Sequence, residues 1–144
     1  MMTIGEVKFG ALHRMREDYR RFAEGKGLAI AAEVNIQQIH RRSEAGRDFH
    51  GRPMREYSRG YKYTRKRKGL RVSPPNLMDT GEMLDSIGYN AGIKAVHPSV
   101  DQMQKAKWNQ ALRPFMGASP GTRRMMIKEV RFRAPQELRR DKYR

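Results

Sequence analysis

The sequence predicts an α+β subunit: an N-terminal helix or helix pair, a small antiparallel sheet or hairpin arm, and short C-terminal helices. Three observations carry that prediction. Apolar residues recur at helical spacing through the first third of the chain. Turn-forming glycines and an asparagine then punctuate a short segment near residues 86–100. Finally, Asp79 and Ser119-Pro120 each open a stretch with the chemistry of a helix start.

Taken in order, Leu12, Met15, Tyr19 and Phe22 lie three, four and three residues apart, one face of a helix of period 3.6. Arg14, Arg16, Glu17, Asp18, Arg20 and Arg21 cover its other face. Gly25 and Gly27 flank Lys26 and are placed to cap or break the helix. Leu28, Ala32, Ile36 and Ile39 continue the pattern toward Ser43–Gly46. An antiparallel pair and a single kinked helix both satisfy this spacing.

Beyond Gly46 the chain turns strongly basic, with ten Arg or Lys in residues 47–71 against only Asp48 and Glu56. Read as a strand, residues 59–71 offer no apolar face, which excludes a core strand. A projecting loop or two-stranded arm near 55–72 is expected instead. Ser73-Pro74-Pro75-Asn76 imposes extended chain. Asp79 with Glu82 resembles a capping box for a short helix through Met83, Leu84 and Ile87. Gly88, Asn90 and Gly92 suit the turns of a strand or hairpin at 86–100, and residues 101–110 read as helix. Ser119 as N-cap and Pro120 at the first helical position begin a last helix carrying Met125, Met126 and Val130. Residues 1–130 are therefore expected to form one domain, and 131–144 a basic C-terminal tail.

Composition bounds the function. Leu, Ile, Val and Phe make up 25 of 144 residues, about 17%, and the formal net charge is +16. Chains below about 20% in these residues with high charge struggle to offset their folding entropy alone. Ten Met and six Tyr supply adaptable contact surface, so a small core completed by neighbouring subunits is expected. A pI near 10.8 implies a polyanion, an acidic protein or an anionic membrane as partner. With no cysteine, disulfides and thiolate metal sites are excluded. No apolar run reaches the roughly 20 residues of a membrane span, and Met1–Gly10 do not read as a signal peptide. An intracellular chain with no membrane partner is expected.

No phosphate-cradling glycine loop, nucleophile elbow or two-histidine zinc motif is present, and His13, His40, His50 and His97 lack ligand spacing. Asp79, Glu82 and Asp85 fall on one helical face, but acids at a helix start are explained by the helix dipole. Neither catalysis, nor a cofactor, nor a metal is expected. The one strong chemical signal is basic residues interleaved with Tyr57, Tyr61 and Tyr63. Arg59, Lys62, Arg65, Lys66, Arg67, Lys68 and Arg71 are the candidates for contact with DNA or an acidic partner.

Three segments, in order, resemble the phage virion-morphogenesis and tail-completion family. They are Phe49, Gly51, Met54, Tyr57-Ser58 and Tyr61; then Asn76-Leu77-Met78-Asp79-Thr80-Gly81-Glu82-Met83-Leu84-Asp85-Ser86-Ile87; then Arg113-Pro114-Phe115-Met116-Gly117. The resemblance spans about residues 45–130. It implies a structural protein of the virion neck, made in the host cytoplasm and assembled as a ring of six or twelve copies. The ring would sit between portal-side adaptor and tail proteins and help retain packaged double-stranded DNA. Phe115, Met116, Trp108, Met83 and Leu84 are the candidates for the contact between subunits, with plain fold maintenance the other role open to them. The alternative from a different class is a free basic nucleic-acid-binding protein.

Overall fold

A computed structural model describes the backbone of residues 4–141 and the side chains of residues 13–140. The fold is α+β and mostly helical. Helix α1 (Ile4–Phe22) runs through a π-helical turn (Ala23–Gly27) into α2 (Leu28–Glu44), so the chain adopts one continuous helical run rather than an antiparallel pair. Gly25 and Gly27 do not break it. Gly27 is buried beside Val130, and a Cβ there would crowd Phe22 O of the preceding turn, 3.2 Å away. Helix α2 stops where Gly46 takes φ +69°, with Gly46 N–H bonded to Ser43 O (3.0 Å) and Arg47 N–H to Arg42 O (2.8 Å). This paired closure is the Schellman arrangement, which favours glycine at the left-handed position.

Helices α3 (Arg59–Arg67) and α4 (Glu82–Asp85) follow, then a hairpin of β1 (Gly88–Asn90) and β2 (Ala95–His97). The strands are antiparallel, with Tyr89 opposite Val96. Asn90 shapes the turn by accepting the N–H groups of Gly92 (2.9 Å) and Ile93 (3.3 Å). A 3-10 turn (Val100–Gln102) leads into α5 (Met103–Leu112), and α6 (Pro120–Asp141) closes the chain. Ser119 accepts the Thr122 N–H at 3.1 Å, the expected N-cap with proline after it.

Two small apolar clusters hold these elements together. The larger gathers Ile39, Met54, Leu77, Met83, Leu84, Ile87, Ala106 and Phe115, so it is assembled from α2, the irregular segments, α4 and α5. The smaller joins Phe22 and Ile30 to Ala134, flanked by Val130 and Leu138. Arg42 ties the two regions, donating to Thr122 Oγ1 and Gly117 O, both at 2.8 Å.

Four expectations are corrected here. Residues 59–67 form neither a loop nor a two-stranded arm but a helix, capped by Ser58 accepting the Tyr61 N–H. Residues 131–141 do not trail as a tail; they extend α6 past Pro135, because Val130, Ala134 and Leu138 recur every four residues and pack on Phe22 and Ile30. Residues 142–144 of the expected tail lie outside the described residues, as does the side chain of Leu12. Asp79 does not cap α4, whose N-cap is Gly81 at φ +89°; Asp79 pairs with Lys68 at 3.6 Å. Met15 and Tyr19 do not face a core: both are exposed, and among the described residues of the predicted α1 face only Phe22 is buried.

Candidate functional site

The basic, tyrosine-rich segment and the Arg-Pro-Phe segment, 40 or more residues apart in sequence, meet at Tyr57. Tyr57 is buried, and its hydroxyl accepts the Leu77 N–H at 3.1 Å. The Arg65 guanidinium lies 4.8 Å from the ring centroid and that of Arg113 lies 4.6 Å from it. A tyrosine ring attracts cations through its quadrupole, and both arginines are withdrawn from water, where this attraction is strongest.

Each arginine is also fixed through its fork of donors. Arg65, only 2% exposed, donates to Arg71 O (2.8 Å), Asn76 Oδ1 (3.1 Å) and Met78 O (2.7 Å). Arg113 donates to Arg55 O (2.6 Å) and Glu56 O (3.1 Å). The loop carbonyls receiving these bonds have no ladder to join, and a planar guanidinium can satisfy several at once. Burial lowers the Arg113 pKa from its ordinary value, while Tyr57 pulls the other way. The Glu56 carboxyl is held below its usual range by Lys62, whose Nζ stands 2.7 Å away, and by Ser73.

These side chains wall a groove of about 610 Å³ between α3 and α5. Arg55, Lys105 and Tyr61 line it, and its α5 edge carries Trp108 and Leu112. Trp108 is 66% exposed and Leu112, one turn further on, is 50% exposed. Aromatic and aliphatic surface at the mouth of a groove with cationic walls can take up an apolar side chain from a segment that carries acidic neighbours. The arrangement offers binding, and its polar groups are held by one another.

The Arg-Pro-Phe-Met-Gly turn is built from the same region. Gln110 Oε1 accepts both the Phe115 (3.1 Å) and Met116 (2.9 Å) N–H groups, and Phe49 N–H donates to Pro114 O at 2.9 Å. Gly117 sits at φ +130° with the Phe49 ring packed on it, where a Cβ would stand 3.2 Å from ring carbons. Compared with models of known families, with curated proteins and with solved structures, the chain gives no match.

The candidate interface residues therefore separate. Trp108 is exposed. Met116 is half-buried against the larger cluster. Phe115, Met83 and Leu84 are each 1% exposed, inside this chain's own core, and are corrected from subunit contacts to core residues. Of the seven basic candidates, Arg65 is corrected from a DNA or partner contact to a buried structural group. Lys62, Lys68 and Arg71 are engaged with Glu56, Asp79 and Glu44 O respectively. Arg59, Lys66 and Arg67 remain outward, Arg67 lying 6.0 Å from the Tyr63 ring. Sequence reasoning missed Leu112, although its place four residues after Trp108 puts both on one helical face. It also missed Arg113 as a clamp on Tyr57, a contact between residues 56 positions apart that no local pattern announces.

Proposed function

We propose that the chain is a structural virion protein of a tailed bacteriophage, a ring-forming subunit that joins the head connector to the tail. The family resemblance of the three ordered segments supports this reading. The single observation that carries assembly is the uncovered Trp108–Leu112 edge beside the Tyr57 groove. It stands on a chain whose two cores are small and whose Met15, Tyr19, Val100 and Phe132 are likewise exposed. A paired aromatic and aliphatic edge at the mouth of a groove suits contact with another protein. In the proposed ring of six or twelve copies, this edge packs on the next subunit. The neighbours above and below are portal-side adaptor and tail proteins, and the net charge of +16 suits the DNA held within.

Electron microscopy with mass photometry of the purified chain, at two salt concentrations without nucleic acid, tests the proposal. Rings are expected, and Trp108→Ala with Leu112→Ser should disperse them while leaving the thermal melt within a few degrees. A monomer that binds duplex tightly and joins no ring would replace this reading with that of a free nucleic-acid-binding protein. Among the described residues, no helix is long and apolar enough to cross a membrane.

A further inference from the structure

One face of α6 carries cations that nothing among the described residues engages. Arg124, Lys128, Arg131 and Arg139 are spaced four, three and eight residues apart, which sets them in one line on a helix of period 3.6. All four are exposed and, among the described residues, have no hydrogen-bond or ion-pair partner. The line is about 22 Å long at 1.5 Å per residue. The acids of this stretch are turned to the flanks and already paired, Glu129 with Arg133 at 2.7 Å and Glu137 with Lys26 at 3.3 Å. Val130, Ala134 and Leu138 lie about a quarter-turn around the helix from this line and pack on Phe22 and Ile30, so α6 is anchored along one side of the ridge while the four cations stay exposed.

We infer that this ridge is a binding surface for the phosphate backbone of duplex DNA. The proposal deepens the virion reading, and rests on it only for duplex as the polyanion the chain meets. Charge complementarity commits the occupant: four unpaired cations in a rigid line match a surface of closely repeated negative charge. The ridge exceeds the roughly 12 Å width of a major groove, so it can reach phosphates on both sides. A lipid surface fits less well, because a helix lying on a membrane needs a continuous apolar face. Here that face is buried inside the protein, and the outer one offers only Met125, Ile127 and Phe132. The contact is to backbone rather than bases, so binding should be indifferent to sequence.

The test uses the full chain and a labelled random-sequence duplex, read by fluorescence anisotropy across salt. Arg124, Lys128, Arg131 and Arg139 are replaced by Ala together, and a control removes the same charge from Arg55, Arg59, Lys66 and Arg67. Alanine favours helix, and the Gln version replaces it if the circular dichroism melt moves. Each phosphate contact contributes about 0.9 to the slope of log affinity against log salt, so the α6 variant should lose up to about 3.6 from that slope. Its affinity near 50 mM salt should fall by about 30-fold or more, against less than about threefold for the control. Equal losses in the two variants, a loss confined to the control, or no duplex binding by the parent chain would each overturn the ridge. So would preferential binding of the parent to phosphatidylserine vesicles that the α6 variant loses. Mass photometry reads ring formation separately, so the ring and the ridge can fail independently.

Discussion

Helices α3 and α6 are both rich in arginine and lysine, yet the fold uses those residues differently. Around α3, part of the charge turns back on the chain: Arg65 binds the carbonyls of Arg71 and Met78, Lys62 meets Glu56, and Lys68 meets Asp79, while Arg59, Lys66 and Arg67 stay outward. On α6 the pairing is confined to the flanks, and the outward line from Arg124 to Arg139 stays unengaged. The difference comes from what lies beside each helix. Irregular chain at 68–81 presents loop carbonyls and the Asp79 carboxylate to α3, and buried carbonyls need donors. Helix α2, beside α6, has its carbonyls already bonded within the helix and meets α6 through apolar side chains, Arg42 on Thr122 and Glu33 on Arg133. A cation is thus drawn into the structure where it faces loop carbonyls, as Arg65 does, and stays available where it faces away from them.

The comparison breaks most readily at Arg65. Arg65→Ala should lower unfolding free energy by about 3 kcal/mol in urea titrations, since three part-buried acceptors lose a charged donor and the buried side chain leaves a void. Arg65→Lys should recover only part of that loss, because an ammonium group cannot reproduce the planar fork. A cost below about 1 kcal/mol would mean that loop carbonyls do not govern the use of charge around α3. Phe115→Ala belongs beside it, at about 3–5 kcal/mol, and separates core from interface because Trp108→Ala should change stability by under about 0.5 kcal/mol.

Tyr57→Phe is a smaller perturbation. It keeps the ring between Arg65 and Arg113 but leaves the Leu77 N–H without its acceptor, which should cost about 1–2 kcal/mol in the same titration.

Acid titration sharpens the comparison further, at the segment leading into α3. Desolvation by burial would raise the Asp48 pKa, but bonds from the Arg52 N–H (2.8 Å), the Arg52 side chain (3.1 Å) and the His50 N–H (2.9 Å) outweigh it and hold the carboxyl below its ordinary value. A carboxyl depressed in the folded state stabilises the fold above its unfolded pKa of about 3.9 and loses that contribution as pH falls through the folded value. Thermal melts should therefore decline below about pH 4, and Asp48→Asn should flatten that part of the profile. At the other extreme, Arg131→Ala on α6 should leave urea stability within about 0.5 kcal/mol, since no intramolecular partner is lost. A larger loss would show that the α6 line is structural after all and erase the contrast with α3.

Much of the scaffold is legible from local chemistry. The α1–α2 periodicity, the Gly46 stop, the Asn90-containing hairpin and the Ser119-Pro120 start each depend on a few adjacent residues and their own backbone bonds. Helix α3 was hidden because its residues have no apolar stripe. It is held by a Ser58 cap and by an arginine on its inner side, and neither appears in a hydrophobic pattern. The length of α6 was hidden by Pro135 and by the charge of its last turns, while the spacing of Val130, Ala134 and Leu138 carried the true signal.

The candidate site divides along the same line. The sequence by itself determined which residue types are available: a large excess of cations, tyrosines among them, a tryptophan followed one turn later by a leucine, and a proline–glycine turn around Phe115. Only the tertiary structure decided their roles, because those roles depend on neighbours distant in sequence. Phe115 is core because Ile39, Met54 and Ala106 surround it, and Arg65 is structural because Asn76 and Met78 face it. Trp108 and the exposed cations of α6 stay open because, among the described residues, no other element comes to cover them. Local bonding energies are written in the order of residues, whereas burial and pairing are set by which surfaces the folded chain brings together.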